Sequence, residues 1–505
     1  MRTTAVLAAA LAAGAASGAG PVTPWGPADG VFNVKDFGAV GDGTHNDTAA
    51  IGDALRAAAA HQAAGGTVSQ VLLPSPGVFL TAAVFLPAAL RNLDIHIEGG
   101  ATLLGSTWWD DFPWMLSTNP TGGSWRSSLF NSNGICDVAV SVSDPSGRNY
   151  GPVGPSWLQE SLSPGGVKLR CLKWRRMSNI SLTGGGTIDG QGYAWWYNPA
   201  YNNHRSEMIR PIAVDSLRIF GLTMRNAPSW THRILLCTDV HARGIRVEAG
   251  VDYDAVEYSG HNVDGFDPDS CDGVLLEDSV IRAGDDCIAV YSTAGPTRNV
   301  VVRNVTCYTP ISVTHGIDTR GVLFENVTVR GDWGAPPPRP GYLPRWWKTA
   351  MRVKSDRHTN ITMRDVVYRG IRAVDVDLGA NIELSYACQN ASGSDHDYQL
   401  CRQAWTVEPG VTPRVSGIRY EDIRIDGGWR AGWLECLPES PCHNVTVDGM
   451  TVTPLSAEGR RRAGLGAASA ADDVHPWVCE DVKDSSARGT VPAPLPAFCP
   501  GVAAE

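Results

Sequence analysis

From about residue 170 to 455 the chain returns again and again to one short template. An apolar–x–apolar run is followed by a polar bend of Glu, Asn or Arg with Asp, Asn or Gly, and then by a second apolar–x–apolar run. The template is legible in Leu217–Met224, Val240–Val247, Val274–Ile281, Val300–Thr306, Val322–Val329, Ile361–Val367, Ile418–Ile425 and Val445–Val452. The first five copies start 23, 34, 26 and 22 residues apart, and the later gaps are longer. Period-two alternation makes each half a strand with one buried face. A repeat in the low twenties built from such strands is what a parallel β-helix needs, each copy forming one coil that pairs with the next. A β-sandwich would also supply many short strands, but not one shared internal template. The expectation is an all-β solenoid in one domain, residues 31–455.

A solenoid exposes unpaired strand edges at both ends, so caps are expected. Asp47-Thr48 ahead of Ala49–Leu55 reads as an N-cap followed by an amphipathic helix that covers the first coil. Residues 456–505 read as an Ala/Gly-rich linker followed by a tail that folds back under a Cys479–Cys499 disulfide. Residues 1–20 carry a short cationic start, a compact Ala/Leu/Val run and small residues, the pattern of a secretory signal peptide. No later stretch is apolar enough to span a bilayer, so the protein is expected in the extracellular space, with no membrane partner.

The twelve cysteines suit an oxidising compartment. Local pairs are expected at Cys388–Cys401, Cys436–Cys442 and Cys479–Cys499, with buried free thiols as the alternative for Cys237, Cys287 and Cys307. Sequons at Asn46, Asn179, Asn304, Asn326, Asn360, Asn390 and Asn444 allow glycosylation. The net charge of −10 argues against nucleic acid as the ligand. A monomer is expected.

The chemistry concentrates in residues 262–354. Asn262-Val-Asp264-Gly-Phe-Asp267 and Gly284-Asp285-Asp286-Cys287 each bring two carboxylates. Asp264 and Asp285 are 21 residues apart, close to one coil, and neighbouring coils stack about 4.8 Å apart. This spacing predicts that the two face each other, with Asp286 alongside. Crowded carboxylates raise at least one pKa, and a protonated acid beside an ionised one is the working pair of glycosidic hydrolysis. A calcium site drawing on Asp252, Asp254, Asp267 and Asp269, or a solvated turn cluster, is the alternative from spacing alone. Arg352-Val-Lys354 places two cations on one strand face, within a locally basic stretch from Asp332 to Arg372. In an acidic protein that is where an anionic sugar would settle. Trp333, Trp346 and Trp347 stand in the loop before it, ready to stack on sugar rings.

These motifs occur in the order of a known family. Phe37-Gly-Ala-Val-Gly-Asp-Gly43 resembles the N-terminal signature of the pectin-lyase-like β-helix superfamily. Gly184–Gly192 with Trp195-Trp196, Arg210-Pro211, Gly221–Trp230, Asn262–Cys271, Gly284–Cys287 and Arg352–Lys354 together resemble the polygalacturonase family, glycoside hydrolase family 28. The resemblance implies a single-stranded right-handed β-helix and an inverting hydrolase of pectic galacturonan, with no metal and no cofactor. It makes Asp285 the general acid, and Asp264 and Asp286 the pair that activates water. It puts substrate contacts at Arg352, Lys354 and Asp267, and makes Asn262 the support of the first aspartate. Tyr386 matches the family's substrate-binding tyrosine.

One element departs from the pattern. Where the family has Gly-His-Gly-Ile/Leu-Ser, this chain reads Thr309-Pro310-Ile311-Ser312, with His315-Gly316 just beyond as either a displaced replacement or an unrelated pair. The departure keeps open a sibling substrate (rhamnogalacturonan, xylogalacturonan or another uronate glycan), a non-catalytic polysaccharide-binding β-helix, and a lyase that would need a calcium cluster and an Arg base. The intact Asp264, Asp285 and Asp286 argue for an enzyme.

Overall fold

The computed structural model describes residues 21–116, 124–141, 169–196, 205–249, 262–331, 349–386, 411–457, 474, 477–491, 499 and 502–504. Among the described residues thirty strands join one sheet system whose ladders are parallel, each strand pairing with its counterpart one coil on. One apolar column shows the stacking. Leu93, Ile180, Leu217, Val240, Val274, Val300, Val322, Val366 and Ile418 follow one another in ladder register. Every one of them is buried. Each contributes about 1.5–3 kcal/mol of apolar burial, so the core is an axial stack of aliphatic side chains.

Each coil turns at two corners where the backbone enters the left-handed region. At the first stand Asp239, Gly273, Asn299, Gly321, Asp365 and Gly417, with φ between +50° and +73°. At the second stand Asp278, Asn304, Asn326, Gly370 and Asp422, with φ between +50° and +63°. Only Gly, Asn and Asp adopt this conformation cheaply, and that is the physical content of the template's bend. It also explains one phasing error. The copy starting at Ile361 is displaced, because Val366, not Ile361, is the partner of Val322. Asp365 at the first corner imitates the chemistry of the second.

The helix Thr48–Ala63 buries Ala50, Ile51, Ala54, Leu55 and Ala58 against the core. Asp47 does not cap it through its side chain. Its carboxylate instead accepts hydrogen bonds from Val40 N (2.8 Å) and Gly41 N (3.1 Å), tying down the preceding loop. At the other end Val478–Glu480 pairs in parallel with Trp433–Glu435, and Ser486–Arg488 with Thr446–Asp448, so this segment extends the stack of coils.

Disulfides join Cys436 to Cys442 and Cys479 to Cys499, as expected, and also Cys136 to Cys171. Cys287 and Cys307 are not free thiols: they bridge adjacent coils with Cα atoms 5.7 Å apart. Their apolar setting looked the same in sequence as that of Cys237, which with Cys271 is a buried free thiol. The expected signal peptide, the Cys388–Cys401 pair and the Trp333–Trp347 loop lie outside the described residues. Among the described residues no helix is long and apolar enough to cross a membrane.

Candidate active site

The acids stand where two coils stack. Phe266 bridges to Ile288, and Gly265 N and Phe266 N donate to Asp286 O (3.0 Å) and Cys287 O (3.1 Å). The local repeat is therefore 22 residues, one more than the spacing of Asp264 and Asp285 suggested. Asp264 stands opposite Asp286, with Asp285 at its side. One carboxylate oxygen of each of the three lies within 4.8 Å of the others. Asp285 is pinned by two backbone donors, Asn262 N at 3.0 Å and Asp286 N at 2.9 Å. Asn262 thus serves Asp285, through its backbone, rather than Asp264; its φ of +53° aims that N–H.

Burial and crowding act together on the charges. Burial, then Asp267, Asp285 and Asp286, push the Asp264 carboxyl well above the usual carboxylate range. Burial and Asp286 push Asp285 up too, against the opposing pull of Lys354. Asp286 receives the Lys354 ammonium at 2.7 Å. Burial is the largest single influence on Lys354 and works to lower it, but the surrounding negative groups, Asp286 first among them, together raise the ammonium above its ordinary value. The result is two carboxyls biased toward the protonated form beside one locked in an ion pair.

Arg352 and Lys354 do lie side by side, but neither faces solvent: they are 0% and 4% exposed. Arg352 Nη2 donates to Glu383 Oε2 at 2.6 Å. The Tyr386 ring covers both cations, 5.1 Å from Arg352 Cζ and 4.8 Å from Lys354 Nζ. Asp267 is fully buried, and its Oδ1 accepts from Ala289 N at 3.2 Å. Asp269 is held by Arg233 at 2.6 Å and by Thr293. Of the oxygens a calcium site would draw on, both of Asp269 are therefore engaged, whereas Asp267 Oδ2 accepts no hydrogen bond among the described residues; Asp252 and Asp254 lie outside the described residues. A cation, the Lys354 ammonium, already sits on the acid cluster.

The departure from the family motif has a definite place. Ile288 pairs with Ile311, so Thr309 occupies the level of Asp286 one coil further on, and Pro310 O accepts from Cys287 N at 2.8 Å. His315 is at the far end of the same strand. Its ring lies between Tyr291 (6.4 Å, near-parallel) and Tyr386 (5.3 Å, edge-on), with Nε2 3.4 Å from Asp356 Oδ2. It buttresses Tyr386 and touches none of the three acids.

Two residues escaped the sequence reading. Arg205 is 9% exposed, donates to Pro228 O at 3.0 Å, and has a charge felt by Asp264 and Asp285; burial lowers it to about 10. It stands five residues before Arg210-Pro211, the one signal that could have found it. Glu383, three residues before Tyr386, is discernible only once coil stacking sets it beside Lys354.

Residues 161–330 match the family described as glycosyl hydrolases family 28, and residues 31–84 one described as rhamnogalacturonase A/epimerase, pectate lyase-like. A probable polygalacturonase of Vitis vinifera is 24% identical over 482 residues, which is 92% of this chain and 79% of the relative. The fold is similar to that of an exopolygalacturonase from Thermotoga maritima, with TM-score 0.61, 17% identity, and 85% and 88% of the two chains covered. It is also similar to that of an endo-xylogalacturonan hydrolase from Aspergillus tubingensis, with TM-score 0.59, 16% identity, and 90% and 100% covered.

Proposed function

We propose that the chain, a glycoside hydrolase that belongs with family 28, is secreted and cleaves α-1,4-galacturonosidic bonds of pectic polygalacturonate, releasing sugar from a chain end. The observation that carries this reading is the trio Asp264, Asp285 and Asp286 within 4.8 Å, with Lys354 on Asp286. Asp285, biased toward its protonated form and held by two backbone N–H groups, donates the proton to the leaving oxygen. Asp286, charged against Lys354, takes the proton of the attacking water. Asp264 holds that water; its Oδ1 accepts no hydrogen bond among the described residues. Secretion is supported by the signal-like first 20 residues and the four disulfides among the described residues. The exo mode is supported by the exopolygalacturonase among the structural neighbours.

Inversion rests on the family resemblance alone. Proton NMR of the first product formed from polygalacturonate tests inversion and substrate together. The β-anomer of galacturonic acid is the expected result, the α-anomer would overturn inversion, and no product would overturn the substrate. Thr309 in place of histidine favours a second reading, a xylogalacturonan hydrolase, which the same assay on that glycan checks.

A further inference from the structure

The two cations expected to hold the sugar carboxylate are already paired inside the protein. Lys354 spends its charge on Asp286 at 2.7 Å, and Arg352 on Glu383 at 2.6 Å. The second pair is unlike the first. Asp286 belongs to the reacting trio, whereas Glu383 stands on the opposite side of the cations, one coil beyond them, paired in the ladder with Lys354. It is 4% exposed, and its carboxylate lies on the Arg352 terminal nitrogen that presents one corner of the guanidinium fork. A uronate carboxylate would use that same fork.

We propose that Glu383 is a specificity-determining residue. By supplying Arg352 with an internal carboxylate, it weakens the site's demand for a free carboxylate on the bound sugar, so that methyl-esterified galacturonate is accepted alongside the free acid. The inference rests on the galacturonan reading above and deepens it. Two features of the surroundings agree. The next residue in the column, Glu435, is 3% exposed, and burial followed by the Glu383 charge pushes its carboxyl up to about 8. At mildly acidic pH it is therefore neutral and leaves Glu383 as the anion that faces Arg352. Tyr386, across both cations, offers an apolar ring face that a methyl ester contacts without loss.

The test reads binding rather than turnover, so that it fails separately from the hydrolase reading. Affinities for trigalacturonate and for its methyl ester are measured by calorimetry on Asp285→Asn and on Asp285→Asn/Glu383→Gln. Glutamine keeps the shape and one hydrogen-bonding oxygen but removes the charge. The expected result is an acid-to-ester preference within a few-fold in the first protein, rising about tenfold in the second as Arg352 gains a free charge. An unchanged preference would overturn the proposal. So would equal weakening of both ligands, which marks a merely structural pair, or binding of neither. If the Gln variant fails to fold, the first protein alone decides: a preference for the acid above about a hundredfold would contradict a neutralised Arg352.

Discussion

Ion pairs of nearly equal length occur on the flank of the coils and on the floor of the site, and what sets them apart is what surrounds them. On the flank, Arg303–Glu277 and Arg369–Glu421 meet at 2.6 and 2.8 Å, with each arginine 45% exposed. On the floor, Arg352–Glu383 and Lys354–Asp286 meet at 2.6 and 2.7 Å, with every side chain at most 6% exposed. Distance is the same; solvent is not. Water screens the flank pairs to about 0–1 kcal/mol each. On the floor, leaving one partner without the other strands a buried charge, at a cost of about 3–5 kcal/mol. The flank stitches coil to coil, whereas the floor stores charge for chemistry.

The comparison breaks most visibly at Lys354. Lys354→Met leaves Asp286 charged without its ammonium, and we expect a stability loss of about 3–5 kcal/mol by urea denaturation, together with loss of hydrolysis. A loss below 1 kcal/mol would place Lys354 with the flank residues. The pH response sharpens the contrast. Asp264 and Asp285 have raised pKa values, so their burial favours the folded state only while they are protonated. That contribution is complete below the ordinary carboxylate value of 3.8 and is lost as pH rises through the raised folded values. Hydrolysis should fall over the same span, as the proton on Asp285 is lost. Chemical-denaturation stability and kcat followed across pH check this, and a kcat that rises through that window would contradict the assignment of Asp285 as acid.

A smaller effect is expected at His315. Because it supports Tyr386 and does not reach the acids, His315→Ala should raise KM several-fold and lower kcat less than about threefold. A kcat loss beyond about a hundredfold would give His315 the direct role that its geometry denies. Smallest of all is Arg369→Ala on the flank, expected to cost no more than about 1 kcal/mol and to leave hydrolysis unchanged.

Much of the scaffold was legible because the coil writes its geometry in residue type. An aliphatic column needs alternation, and a left-handed corner needs Asn, Asp or Gly. The same rule accounts for several sequons, since Asn179, Asn304, Asn326 and Asn444 all stand at left-handed positions and are used there for their backbone. The Ile361 copy slipped because a coil has two chemically alike corners and the sequence does not say which is which. At the site, Asp264, Asp285, Asp286, Arg352 and Lys354 were legible as clusters, but their partnerships were not. A one-residue change in the local repeat moved Asp264 from Asp285 to Asp286, and Glu383 reaches Arg352 from 31 residues away. Contacts of that kind are fixed by stacking register, which no short motif records.

The most direct test of the central claim is new reducing ends and product size from polygalacturonate at mildly acidic pH, compared between the wild-type protein and Asp285→Asn. The account predicts monomer release by the wild type and a loss of at least about a hundredfold in kcat for the variant, with substrate binding retained. Equal activity in the two proteins, or none in the wild type, would contradict it.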